Sequence, residues 1–149
     1  WSTTAAQNIP GPLLAGTVSF TNSDPGSTNV SVAGSSITFA KTCVYNMQYS
    51  LQLVNTDTQL HDVYVWFIKN GVAIPASNSV TSVPNKHGGI NGHTILALNF
   101  VASLTAGDTI QLGWWTDDSV NVTISTVTPG VGPAMPVSPG AIFTATQSA

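Results

Sequence analysis

Three groups of side chains in this sequence are of types that do chemistry. His87 and His93 flank Gly88-Gly89-Ile90-Asn91-Gly92, and two imidazoles on a glycine-rich segment can share zinc or nickel. No Cys or carboxylate stands beside them at a matching spacing, so a complete site needs His61, a distant Asp or a second subunit. The segment therefore reads as a polar loop without metal or cofactor, on which Asn85, Lys86, His87, Asn91 and His93 are available to touch a partner. Asp117-Asp118 follows Trp114-Trp115, and paired carboxylates beside aromatics bind calcium or sugar hydroxyls. The same pair closes a turn between strands by accepting local backbone hydrogen bonds, and the turn is the simpler account. Trp66, Trp114 and Trp115 stack on sugar rings where exposed and otherwise fill a core or an interface.

Catalysis needs a nucleophile with its base, a paired acid and base, or a metal with an open position. Cys43 is single and has no neighbouring His, no Ser sits in a nucleophile elbow, and the chain contains no Glu. A non-enzymatic protein is expected.

Only 6% of the 149 residues are charged, against about 25% in ordinary soluble proteins, and Arg is absent as well. Ser, Thr, Asn and Gln must keep the surface wet, which favours a chain that lives in an assembly. Three lysines and a net charge of −3 offer no patch able to neutralise several phosphates, so nucleic-acid binding is disfavoured. No apolar run reaches the length of a membrane span, and membrane insertion is not expected. The first residue is Trp, so the chain reads as a processed form or a piece of something longer.

The element that must organise the rest is His61 to Gly71, the densest apolar stretch. In a strand, Val63, Val65 and Phe67 line one side and Tyr64, Trp66 and Ile68 the other, so both sides need cover. Asn70-Gly71 suits a type I′ turn returning through Val72-Ala73-Ile74. Tyr45 to Leu53 alternates apolar with polar residues, Ile95 to Leu104 is a strand with Leu96, Leu98, Phe100, Ala102 and Leu104 on one face, and Ile110, Leu112 and Trp114 resume alternation after a turn. Shorter strands are expected at 17–21, 30–32, 36–39, 120–124 and 141–146. Asp24-Pro25-Gly26 reads as a turn, 75–92 as one long polar loop, and 128–140 as a Pro- and Gly-rich tail. Residues 1–16, with Pro10, Gly11 and Pro12, read as an extended arm before a single domain at 17–149. Many strands and no convincing helix predict an all-β protein, an antiparallel β-sandwich or barrel.

The ordered set Tyr45-Asn46-Met47-Gln48-Tyr49, Val65 to Gly71, Asn99-Phe100-Val101, Leu104 to Leu112 and Ser138 to Phe143 resembles the jelly roll of the tumour necrosis factor and complement globular-head superfamily. The Thr/Ser/Asn-rich, charge-poor style is similar to jelly-roll modules on tailed phages, where they serve as capsid decoration (cement) proteins and fibre heads. The resemblance implies a homotrimer on the virion surface, packed through aromatic strand faces and carrying no catalytic residues. Tyr64, Trp66, Ile68 and Trp115 are then the expected trimer interface, and Trp1, Ile9, Pro10 and Leu13 the arm contacting the major capsid protein or another virion protein. Two alternatives are a receptor-binding head of a phage tail or capsid fibre, touching a host-surface glycan or protein through the 77–93 loop, and a carbohydrate-binding module or lectin.

Overall fold

Period-two alternation in the two longest apolar stretches makes them partners. In the computed structural model, which describes residues 1–23, 26–128 and 135–148, β5 (Cys43–Asn55) and β9 (Gly92–Leu104) run antiparallel over thirteen residue pairs, from Cys43↔Leu104 to Asn55↔Gly92. The opposite edge of β5 takes β12 (Ala141–Ser148) and, further along, β11 (Val122–Ile124). The first sheet closes with β1 (Ser2–Thr3) on the outside of β12.

The two-sided stretch becomes β6 (His61–Lys69), at the centre of the second sheet. There it pairs with β10 (Thr109–Thr116) on one side and with β7 (Val72–Ala73) and β8 (Ser79–Val83) on the other. Beyond β10 lie β4 (Ser36–Phe39) and β3 (Val30–Ala33), with β2 (Gly16–Thr17) further along the same edge. Asn70 and Gly71 hold φ of 50° and 82°, the positive values that the β6–β7 hairpin needs.

Both sheets are antiparallel and no helix occurs among the described residues, so the fold is an all-β antiparallel sandwich. Tyr45, Met47, Tyr49, Leu51 and Leu53 of β5 face inward against Ile37, Phe39, Val63, Val65, Phe67, Ile110, Leu112 and Trp114. Rings stitch the layers together: Phe39 on Tyr45 at 4.6 Å, Tyr49 on Phe67 at 5.7 Å and Phe67 on Phe100 at 5.1 Å between centroids.

The structure corrects several sequence-based boundaries. The expected loop at 75–92 contains β8, an edge strand with only Val83 fully buried; its serines and threonine carry no apolar alternation. The expected strand at 17–21 is laddered only at Gly16–Thr17, and continues as single bonds from the Val18 amide to the Leu112 carbonyl and from the Phe20 amide to the Gly34 carbonyl. Residues 1–16 lie along the sandwich: the Gln7 and Ile124 backbones exchange two hydrogen bonds, and the Gln7 side chain donates to and accepts from the Ser19 backbone. Asp24 and Pro25 of the expected turn, and 129–134 of the tail, fall outside the described residues.

Candidate functional site

On the outer face of the second sheet, period two brings Tyr64, Trp66 and Ile68 of β6 beside Gly113 and Trp115 of β10. Register places Tyr64 opposite Trp115 and Trp66 opposite Gly113, and the Tyr64 and Trp115 rings meet at 5.6 Å. The missing side chain of Gly113 makes room for Trp66. A Cβ there would stand 2.6 Å from the indole and 2.9 Å from Ile68 Cδ1, so the indole lies directly over the bare backbone. Gly113→Ala is expected to lift Trp66 and cost about 1–3 kcal/mol by overpacking, read from the urea midpoint and from tryptophan fluorescence.

Tyr64, Trp66, Ile68 and Trp115 are each half-buried in the isolated chain, and Tyr64, Trp66 and Trp115, together with Ala73, Ile74, Ala76 and Asn78, border an open groove of about 400 Å³. Trp115 Nε1 donates to the Pro12 carbonyl at 2.9 Å, so the N-terminal segment closes one end of this face. Of the residues expected on an arm, Ile9 is buried in the chain's own core and Trp1 packs on Phe143 at 6.1 Å. Ile9 is covered within the chain, and Trp1 is half-buried. Pro10 and Leu13 stay exposed, Leu13 at 91%, on a turn closed by the Leu14 amide and the Gly11 carbonyl.

The expected partner loop projects at one end of the sandwich. Asn85, His87 and His93 are exposed, and Lys86 and Asn91 half-buried. The His87 and Ile90 backbones exchange two hydrogen bonds and shape the tip, while the Lys86 amide donates to the Asp57 carbonyl at 2.6 Å and hangs the loop on the turn after β5. Asn55 secures the same turn from below by donating to the Gln59 and Val83 carbonyls.

Beside this loop the structure assembles a cluster that sequence spacing does not show. His61 Nε2 lies 3.0 Å from Asp57 and 3.4 Å from Asp118, and Nδ1 lies 3.1 Å from Asp117. Pairing of Val63 with Thr116 at the end of the β6–β10 ladder carries His61 to a pair of aspartates more than fifty residues away. Asp118 also does the expected turn work, accepting from the Val120 and Asn121 amides. Burial pulls the imidazole pKa down, but the hydrogen bond to Asp57 and the charges of Asp117 and Asp118 outweigh it and leave the pKa raised. The Asp57 carboxyl is held below its ordinary value, chiefly by its bond to His61, and Asp118 is lowered by Asn121 and the local amides against the opposing effect of burial. One ligand-type atom from each of His61, Asp57 and Asp118 lies within 4.8 Å of the others. His87 and His93 belong to no such group among the described residues. Asp108 is structural: bonds from Lys69, the Thr105 amide and Asn70 take its carboxyl down to about 2 and brace the turn before β10.

No protein-family model and no curated protein matches this chain.

Proposed function

We propose that the chain is a non-enzymatic virion structural protein, a homotrimeric jelly roll that decorates the outside of a tailed-phage capsid. The observation that carries this reading is the outer face of the second sheet, where Tyr64, Trp66, Ile68 and Trp115 form an apolar patch beside a groove, with Asp62 at one end of the row. A patch of large aromatics on a chain with so few charges is the kind of surface a second copy covers. The jelly roll is supported by strand order. β6 pairs with β8, β5 with β9, β4 with β10 and β1 with β12, a nested series of antiparallel pairs rolled into two sheets, as in folds used by viral capsid and lectin domains. The virion assignment leans on the resemblance in style to phage surface modules, and exposed Leu13 and Pro10 offer the contact with the capsid.

Light scattering across a wide dilution series should give three times the chain mass. Trp66→Glu, which puts a charge on the patch, should weaken the trimer by about 2 kcal/mol, roughly thirtyfold. Purified trimer should then bind undecorated capsids. A wild-type monomer at all concentrations defeats the trimer, and a trimer that ignores capsids defeats the decoration role. Asn78 at the rim of the aromatic groove favours a second reading, a carbohydrate-binding module, and glycan binding abolished by Trp66→Ala would put it first.

A further inference from the structure

Both ring nitrogens of His61 face carboxylates: Nδ1 has Asp117, and Nε2 has Asp57 and Asp118. An ionised carboxylate only accepts, and a neutral imidazole carries one N–H, so this arrangement is satisfied only when both nitrogens are protonated. The three aspartates come from two turns that flank the end of the β5–β11 ladder, where the Thr56 amide also donates to the Asn121 carbonyl. Asp57 stands in the turn after β5, and Asp117 and Asp118 in the turn after β10. Through its carbonyl, Asp57 also holds the Lys86 amide and hence the base of the 84–92 loop.

We propose that His61 is a proton-operated latch: doubly protonated, it braces Asp57 against Asp117 and Asp118 and steadies the base of the 84–92 loop, and on losing a proton it loosens that base while the β5–β11 ladder stays paired. The surroundings supply no substitute cation. Asp62, next along β6, is engaged by the Ser82 hydroxyl and by its own amide's bond to Asp117; β8 offers uncharged Val83 opposite His61; Lys86 forms no ion pair among the described residues. Deprotonation therefore leaves at least one nitrogen lone pair pointing at a carboxylate, and the grip on Asp57 loosens.

The sign follows from the direction of each shift. The His61 pKa is raised, so its contribution is complete below the ordinary value of about 6.5 and disappears as pH climbs through the raised one. The Asp57 and Asp118 values are lowered, so their contribution is present above their ordinary value, about 3.9, and is lost as pH falls through the lowered ones. The latch is closed in mildly acidic solution and opens as pH rises through the raised His61 value.

NMR titration of the His61 ring, combined with amide-exchange protection of Lys86 in the full-length chain, tests this. The ring should titrate above 6.5, and Lys86 protection, corrected for intrinsic exchange, should fall through the same pH by about tenfold for each unit of elevation, while the Met47 amide in β5 stays protected. In His61→Gln the Lys86 protection should be low and flat with pH. Should that variant fail to fold, Asp57→Asn keeps the imidazole and must move its titration down toward 6.5. A ring that titrates at or below 6.5, or Lys86 protection unchanged across the titration, overturns the latch.

Discussion

Replacing Gly92 by alanine is expected to cost about 3 kcal/mol, a large share of the 5–15 kcal/mol that holds a domain of this kind together. The backbone at Gly92 is not left-handed; the demand is for space. A Cβ would sit 1.7 Å from the Pro84 carbonyl oxygen and 2.6 Å from its carbon, and both are backbone atoms that no rotamer change can move. Gly92 also opens the β5–β9 ladder opposite Asn55, the residue that secures the turn carrying Asp57. The clash must therefore push the 84–92 loop off the sandwich or unpair the first rungs. Gly89→Ala separates space from conformation: Gly89 has φ of 85° and nothing within reach of a Cβ, so the loss there should be only about 1 kcal/mol of backbone strain. Urea unfolding of the two variants should differ by about 2 kcal/mol. If they prove equal, Pro84 does not press on Gly92.

The second large effect is expected at Phe67, whose ring is wholly buried and contacts Tyr49 and Phe100 of the opposing sheet. Tyr49 is fixed in turn by a hydrogen bond between its hydroxyl and that of Ser79. Phe67→Ala removes the ring that binds β6 to both β5 and β9 and leaves a cavity between layers that cannot fully collapse, for about 3–5 kcal/mol. Phe67→Leu keeps most of the volume and should lose no more than about 1.5 kcal/mol. Chemical denaturation reads both, and an alanine variant within 1 kcal/mol of wild type would mean that the sheets are held elsewhere.

How far the molecule was legible from its residues depends on where the signal lies. β5, β9 and β10 are announced over most of their length by an apolar residue at every second position, the physical requirement for pairing two layers, and β6 by its continuous apolar run. The apolar patch was legible for the same reason: Trp115 and Tyr64 stand on the faces opposite to Trp114 and Val63. β8 and β1 were not, since an edge strand of Ser and Thr looks like loop until a neighbour's backbone is beside it. The segment before residue 17 is pinned by backbone pairing at Gln7 and Ser2, by the Gln7 side chain on the Ser19 backbone and by buried Ile9, contacts that its prolines do not announce. His61 was legible only as a distant ligand for His87 and His93. Its partnership with Asp57, Asp117 and Asp118 depends on the β6–β10 register, and a shift of one residue would have turned it to the other face.

The nesting of strand pairs bears on how the protein is made. β12 is translated after every strand it touches, yet its place lies in the interior of the first sheet, between β1 and β5. Until it emerges from the ribosome, β1 has no ladder partner, one edge of β5 is bare over most of its length, and the hollow that Phe143 fills, against Trp1 and Phe20, stands open. The hairpin of β6 and β8 can close early, but the sandwich is a structure completed by its last strand. A nascent or truncated chain therefore presents a strand-shaped vacancy, which the equivalent strand of a neighbouring nascent chain is shaped to enter.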